Sequence, residues 1–361
     1  MGWQLAARYG TGSGTDKINI HPYHDTHNMT KRYIISCTMA AVLFILCGAA
    51  SCHHGKKDIL EPVTVDPKGP QFDADSALAF CYGQCAFGPR TMNSTAHDEC
   101  EQWIIDMFKR YGCEVETQKA TLKGYDGTPL RATNIIAHYQ PDKPKHILIC
   151  AHWDSRPWAD NDPDEANWHT PVLAANDGAS GVAVMIELAR VLQQVDSLDL
   201  GIDFICFDAE DWGVPQWSDR TDENSWALGA QYWAEHQEPK PYTTAYGILL
   251  DMVGGQGAEF YQEGMSQRYA PQVVQRVWNA AHAAGYSQYF PRTTGGGVTD
   301  DHLPINEKAG IPTIDIIPHY PNCRESSFGP TWHTIADDMD HIDSNTLKAV
   351  GQTIIQVLFT E

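Results

Sequence analysis

Residues 202–211 read Ile-Asp-Phe-Ile-Cys-Phe-Asp-Ala-Glu-Asp, an apolar run that ends in a group of carboxylates. The run has the length and the aromatic and β-branched content of a buried strand. Glu210 and Asp211 stand side by side at the carboxyl end of this strand, where both side chains can turn toward one site. A solvated acidic turn explains one such pair equally well, so the interpretation depends on what the rest of the chain supplies.

Similar apolar strands alternate with helical patterns along most of the chain. The predicted elements are strands at 133–139, 146–151, 202–207, 246–253 and 313–317, and helices at 94–111, 178–195, 223–236, 269–284 and 344–360. Such alternation predicts an α/β fold: a single globular domain with a central mixed, mostly parallel β-sheet flanked by helices in three layers. We expect this domain to cover residues 73–361.

The N-terminal region has the pattern of an export segment. Residues 1–28 are predicted to be an upstream extension, and residues 29–52 have the basic flank, short apolar core and small-residue exit of a signal peptide. Cys52 follows Ala-Ala-Ser, as at a bacterial lipoprotein cleavage site, and is the predicted lipidation position. An uncleaved anchor or ordinary signal cleavage is the alternative. The polar stretch 53–72 would tether the domain to a membrane on the periplasmic side.

The charge balance limits the classes of partner. The chain carries 25 Lys and Arg against 46 Asp and Glu, a net charge of -21, and it has no basic run that could follow a phosphate backbone. A nucleic-acid partner is therefore not expected. No Cys-x-x-Cys occurs among the cysteines, which disfavours a cysteine zinc site. Nothing in the pattern demands a second subunit, so we expect a monomer.

Further carboxylates stand where predicted strands end or helices begin. Asp177 precedes a Gly/Ser turn that opens a helix, where it could cap that helix or bind a metal. Asp251 interrupts an apolar strand, where an unpaired carboxylate would cost several kcal/mol. Carboxylates gathered at one sheet edge repel each other and lose hydration, and a cation resolves that conflict. Together with His333, an imidazole of the kind that binds zinc, these residues predict a zinc site.

Six segments resemble, in order, the motifs of glutaminyl-peptide cyclotransferases, whose wider relatives are zinc aminopeptidases. They begin at Ala151, Asn176, Asp208, Leu250, Asp300 and Trp332. The most specific part is Asp-Asp-His-x-Pro at 300–304, followed by Gly-Ile-Pro at 310–312 and Trp-His-Thr at 332–334. The similarity extends from about Ser94 to the C-terminus. It implies that N-terminal glutamine of peptides and exported proteins is converted to pyroglutamate, with release of ammonia.

The resemblance also implies a role for each acidic position. Asp177, Asp211 and His333 would hold a single Zn²⁺ ion, and the γ-carbonyl of the glutamine would be polarised at its open position. Glu210 would take a proton from the α-amine and deliver it to the departing ammonia.

The remaining implied residues surround the substrate. Asp251 and Asp300 would form a hydrogen-bonded acidic network beside the general base and share a proton. Ring closure depends on orienting two groups of one molecule, so the glutamine must be held in a folded pose. The side chains implied to hold it are those of Trp332, Trp217 and Phe328.

Two positions depart from the animal-type pattern of this family. Asp211 stands where Glu is more common, and Asp315 stands where animal members carry a histidine. The stretch 319–330 is also longer. These differences leave the metal geometry and one pocket wall open.

Two other interpretations use the same residues. In a two-zinc aminopeptidase, His152 and Asp251 would bind a second metal and Glu210 would activate water. In a non-catalytic, lipid-anchored binding protein on the same fold, no reaction would depend on these positions. The chain nevertheless has a candidate for every catalytic role, which favours an enzyme.

Overall fold

The computed structural model describes residues 64–196 and 198–361. Its main helices are α1 (Ala74–Cys85), α2 (Thr95–Arg110), α3 (Ala179–Leu192), α4 (Leu228–Glu235), α5 (Gly264–Tyr269), α6 (Pro271–Ala283) and α7 (Ser344–Leu358). Its strands are β1 (Glu114–Lys123), β2 (Pro129–Tyr139), β3 (Lys145–His152), β4 (Gly201–Phe207), β5 (Thr243–Leu250) and β6 (Thr313–Ile316). A short helical turn at His302–Pro304 continues as a π-helical turn at Ile305–Ala309. The predicted extension, signal peptide and lipidation position lie outside the described residues.

The strands form a mixed sheet in the order β1-β2-β4-β3-β5-β6. β4, β3, β5 and β6 are mutually parallel, whereas β2 is antiparallel to both of its neighbours. The predicted mixed, mostly parallel sheet is confirmed. β2 and β3 follow one another along the chain but do not pair, because β4 lies between them.

Alternate residues of the central strands face opposite sides of the sheet. In β3, Ile147 and Ile149 pack into an apolar cluster with α1, α2, α3, α6 and α7. Leu148 and Cys150 point the other way and pack with α4. Because both faces are covered, these strands are nearly continuous apolar runs, as expected for parallel strands in the middle layer of three.

Two elements, α1 and β1, have no counterpart in the sequence prediction. β1 is an edge strand with mostly exposed or half-buried residues, so it lacks the apolar run that identifies a central strand. The predicted helix at 269–284 is divided at Ala270, directly before Pro271, which opens α6. Proline fits the first turn of a helix but interrupts a preceding one, because it has no backbone N–H to donate.

The predicted tether extends too far toward the C-terminus. The backbone N–H groups of Lys68 and Phe72 donate to the side chains of Gln356 and Gln352 in α7, at 2.6 and 2.9 Å. Phe72 is buried in the main apolar cluster. The folded body therefore includes residues before position 73, because partners from the far end of the chain satisfy this polar segment. Within the described part of the chain, none of the helices combines the length and apolarity needed to cross a membrane.

Candidate metal centre and active site

Acidic or imidazole side chains lie at the carboxyl ends of three parallel strands, along one edge of the sheet. His152 is the last residue of β3, Glu210 and Asp211 follow β4, and Asp251 follows β5. The carboxyl ends of parallel strands meet at the same edge, which is where α/β proteins usually bind ligands. All four side chains are buried. The predicted convergence of residues far apart in the sequence is therefore present.

Asp177 faces this edge and does not cap the helix that follows it. The cap position of α3 is Gly178, and no side chain caps the helix there. Gly178 has φ 107°, and a Cβ atom would lie 2.6 Å from the carbonyl oxygen of Asp154, so only glycine fits. The carboxylate of Asp177 instead lies between two imidazoles: Oδ1 is 3.0 Å from Nε2 of His152, and Oδ2 is 3.5 Å from Nε2 of His333.

Asp177 belongs to two groups of possible metal ligands. The first group is Asp177, Asp211 and His333, the set predicted to bind zinc, and the second is His152, Asp177 and Asp251. Within each group the donor atoms lie within 4.8 Å of one another. Oδ2 of Asp211 is buried and has no hydrogen-bond partner among the described residues. A buried carboxylate oxygen requires a donor or a cation, so the first group fits a zinc ion in both ligand type and spacing.

Each imidazole also faces a second carboxylate through its other nitrogen. Nδ1 of His152 lies 3.5 Å from Asp154, and Nδ1 of His333 lies 3.5 Å from Asp160. Carboxylates in this position orient metal-binding histidines and direct Nε2 toward the ion. Asp160 had no role in the sequence prediction, because its partner His333 lies far along the chain.

Asp154 also fixes the turn after β4. Its two oxygens accept hydrogen bonds from the backbone N–H groups of Glu210 and Asp211, at 3.1 and 3.2 Å. The preceding residue, Ala209, has φ 54°, a left-handed conformation that is uncommon outside glycine. In a regular strand the side chains of Glu210 and Asp211 would point to opposite faces of the sheet. The turn allows both carboxylates to reach the same site.

Two more left-handed residues lie at the site. Met252 follows Asp251 and has φ 52°, and His333 itself has φ 55°. Such conformations cost on the order of 1–3 kcal/mol each and persist only where the surrounding structure enforces them. Their concentration around the predicted ligands is typical of a functional site.

Four carboxyl groups form the acidic part of the site. Burial raises the pKa of Glu210 well above its ordinary value; His152 opposes this and the neighbouring carboxylates add to it. Burial likewise raises the pKa of Asp300, with a further contribution from Asp251. Asp315 joins them: burial and then the proximity of Asp300 raise its pKa. Carboxyl groups this close together can share protons; that Asp251 and Asp300 do so stays a prediction.

Two aromatic rings stack against the candidate metal ligand His333. Trp332 stacks on it with ring centroids 3.8 Å apart, and Phe328 lies 5.0 Å from Trp332. The ring of Trp226 is also nearly parallel to that of His333, with the two centroids 6.0 Å apart. Trp226 had no role in the sequence prediction.

Trp217, the third predicted substrate-binding ring, belongs to a second aromatic group. Its ring contacts are with Trp158, Trp168 and His169, at 5.9, 6.1 and 4.7 Å. Trp217 is also one of the few large apolar side chains that are exposed among the described residues. It therefore lies further out than Trp332 and Phe328.

These features define a metal-dependent α/β enzyme of the zinc-exopeptidase type, with its site at the carboxyl edge of a mixed sheet. The family model described as Peptidase family M28 matches residues 134–358. The chain belongs to this family, which confirms the relationship to zinc aminopeptidases.

Two solved structures resemble the chain over most of its length. The glutaminyl cyclase of Bacteroides thetaiotaomicron bound to N-acetylhistamine is 50% identical, with a TM-score of 0.79, over 81% of this chain and 100% of that chain. A leucine aminopeptidase precursor from the same organism is also 50% identical, with a TM-score of 0.78, over 82% and 99%. Aminopeptidase YwaD of Bacillus subtilis is 29% identical over 266 residues, 71% of this chain. The chain spans half the length of this curated relative.

Proposed function

We propose that the protein is a zinc-dependent glutaminyl-peptide cyclotransferase, which converts N-terminal glutamine to pyroglutamate and releases ammonia. The observation that carries the proposal is the stack of Trp332 on the ligand His333, with Glu210 buried beside the same donor set. An aromatic wall against the metal suits a substrate that must fold back on itself. The similarity to a bacterial glutaminyl cyclase over its whole length supports the same activity.

In this reaction the α-amine of the substrate attacks the γ-carbonyl carbon of the same residue. A single zinc ion held by Asp177, Asp211 and His333 would supply Lewis acidity toward that carbonyl. Glu210 accepts the proton that the amine loses and returns it to the departing NH₂ group, so that a new C–N bond forms and ammonia leaves. Burial raises the pKa of Glu210 well above its ordinary value, although the nearby His152 acts to lower it, and a raised pKa favours delivery of the proton to the leaving group.

The neighbouring acids and rings position the substrate. Asp251 and Asp300 hold a shared proton close to Glu210, where it can hydrogen-bond to the reacting groups. Trp332 and Phe328 pack against the methylene groups of the glutamine and exclude water from the ring-closing step. Trp217 contacts the part of the peptide that leaves the site.

A two-metal aminopeptidase is the second candidate, and one observation favours it. His152, Asp177 and Asp251 form a second complete donor group that shares Asp177 with the first. Two ions bridged by one carboxylate are a common arrangement for metal-assisted hydrolysis. In that case Glu210 would activate a water molecule rather than an amine.

Two peptides distinguish these functions. The protein is incubated with a Gln-initiated and a Leu-initiated peptide, with and without a chelator, and the products are followed by mass spectrometry. We expect a loss of ammonia from the Gln peptide only, and no loss in the presence of chelator. Release of free N-terminal residues would establish the aminopeptidase, and no change in either peptide would favour a binding protein.

We further propose that the protein is exported and anchored by a lipid on Cys52, facing the periplasm, where exported chains with N-terminal glutamine are available. The support is the sequence pattern of residues 29–52 alone. The full chain expressed in a Gram-negative host should yield an N-terminal peptide that begins at a diacylglyceryl-modified Cys52. A C52S variant should lack this peptide, whereas C47S should keep it. An unmodified or uncleaved N-terminus in the wild type would contradict the proposal.

A further inference from the structure

Arg156 is a fully buried arginine beside the candidate metal site. Its guanidinium lies between the rings of Trp158 and Trp226, at 5.3 and 4.7 Å from their centroids. Trp226 in turn covers one face of His333. Because arginine keeps its proton in proteins, a permanent positive charge is buried next to the donor set.

The guanidinium holds two carboxylates that belong to the site. Nε and Nη2 of Arg156 donate to the two oxygens of Asp160 at 2.6 and 2.7 Å, which is the two-pronged geometry of strong ion pairs. Nη1 donates to Oδ1 of Asp211 at 3.1 Å and to the backbone carbonyl of the same residue at 3.2 Å. Asp160 faces Nδ1 of His333. One side chain therefore supports two of the three candidate zinc ligands.

We infer that Arg156 is a positioning residue for the metal centre: it holds the carboxylate and the backbone of Asp211 in place and holds Asp160 against His333. Oδ1 of Asp211 accepts the hydrogen bond from Arg156 and lies 3.3 Å from Nε2 of His333, whereas Oδ2 has no partner within the described residues. The inference rests on the zinc centre of the proposed function but not on its substrate.

The short side chain of Asp211 makes this support important. An aspartate carboxylate lies one methylene closer to its Cα atom than a glutamate carboxylate does, so its position depends strongly on that of its backbone. Arg156 fixes both the backbone carbonyl and one carboxylate oxygen of Asp211. A ligand held in this way loses little freedom when an ion binds, which favours binding.

The charge of Arg156 and the geometry of its hydrogen bonds have opposite effects on the affinity for a metal ion. The positive charge repels a cation and offsets the negative charge of the buried carboxylates. The two-pronged hydrogen bonding instead holds Asp160 and Asp211 in position for the metal. Lysine keeps the charge but cannot make the fork. An R156K variant therefore separates the positioning effect from the electrostatic one.

The test measures metal binding rather than activity. Full-length wild type and R156K, both prepared without metal, compete with a chromogenic chelator for zinc, and their cobalt(II) forms are compared by visible absorption. We expect zinc to bind R156K at least about tenfold more weakly, as for other residues that support metal ligands. We also expect an altered cobalt spectrum, because Asp211 and His333 are no longer held in fixed positions.

R190K is the matched control. Arg190 forms a similar fork with Glu187 at 2.6 and 2.8 Å, but it lies at the opposite end of α3 from Asp177. R190K should keep the wild-type zinc affinity and cobalt spectrum. If R156K does not fold, D160N tests the other half of the network and should also weaken zinc binding. Wild-type affinity in a folded R156K or D160N would overturn the role of Arg156, and a wild type that binds no zinc would overturn both this role and the proposed function.

Discussion

Nε2 of His152 lies 3.0 Å from Oδ1 of Asp177, so the central carboxylate of the zinc group also belongs to a second donor group. The same residues can therefore hold one ion, with His152 orienting Asp177, or two ions, with Asp177 as the bridge. The first arrangement suits the cyclase and the second suits an aminopeptidase. The number of bound ions thus bears directly on the reaction.

Replacing the two histidines should have unequal effects on metal content. With one zinc ion, H333A removes a ligand and should lower the bound zinc from about one ion per chain toward none. H152N should keep about one ion, because His152 acts only through Asp177. Elemental analysis of dialysed protein measures both. About two ions in the wild type, with one lost in H152N, would establish the two-metal site instead.

Glu210→Gln should abolish most of the turnover without removing the metal. General acid–base catalysis contributes on the order of 10²–10⁴ in rate, so we expect kcat for a Gln-initiated peptide to fall by about 10³. The zinc content should match that of the wild type, because Glu210 is outside both donor groups. An E210Q variant with more than about a tenth of the wild-type kcat would exclude Glu210 as the proton carrier.

The two aromatic groups should differ in their effect on the substrate. W332A removes the ring that stacks on His333 and should lower kcat/KM by about fivefold, since such ring contacts are worth about 1 kcal/mol beyond their buried area. W217A should raise KM for longer peptides and change kcat little. Y82A, which removes an exposed ring on α1, is the control and should change neither. A W217A variant as impaired as W332A toward a Gln dipeptide would place Trp217 against the glutamine itself.

Asp203, a buried carboxylate outside the candidate site, should contribute strongly to the stability of the fold near the amino ends of β3 and β4. Asp203 in β4 accepts hydrogen bonds from His138, His146, Lys240 and Tyr242, at 2.7, 3.0, 3.2 and 2.9 Å. Burial acts to raise the pKa of Asp203, but these donors outweigh it and hold the pKa well below its usual range. D203N leaves them without a charged partner and should lower the free energy of unfolding by about 3 kcal/mol.

The loss in D203N should depend on pH in a defined direction. The lowered pKa of Asp203 stabilises the folded state above its unfolded pKa of about 3.9, and this contribution disappears as the pH falls below it. Burial acts to lower the pKa of His138, but Asp203 raises it on balance, so this contribution is complete below about pH 6.5 and is lost as the pH rises. The difference between wild type and D203N should therefore be largest between about pH 4 and 6.5. Urea unfolding at several pH values measures it, and a difference that does not change with pH would show that Asp203 acts only by packing.

Local sequence determined the layered fold and the edge at which the site forms. The runs at β3, β4 and β5 are apolar because both faces of these strands are covered, and parallel strands must end at a common edge. Carboxylates directly after such runs therefore identify the candidate site before any contact is known. β1 and α1 escaped prediction because an exposed edge strand and a helix that buries only Ala77, Cys81 and Gln84 carry no comparable run.

Only the tertiary structure decided how the site is held together. The sequence pattern left open whether Asp177 caps a helix or binds a metal; the structure shows that it does not cap the helix and that its carboxylate lies between His152 and His333. It contained no sign that Arg156 joins Asp160 to Asp211, or that Asp154 fixes the turn before Glu210. These contacts join residues that are far apart along the chain, and such pairs meet only when the packed layers bring their elements together. Periodicity and motif order indicate which helices and strands form. The partners of a buried charged side chain depend instead on how the whole chain packs.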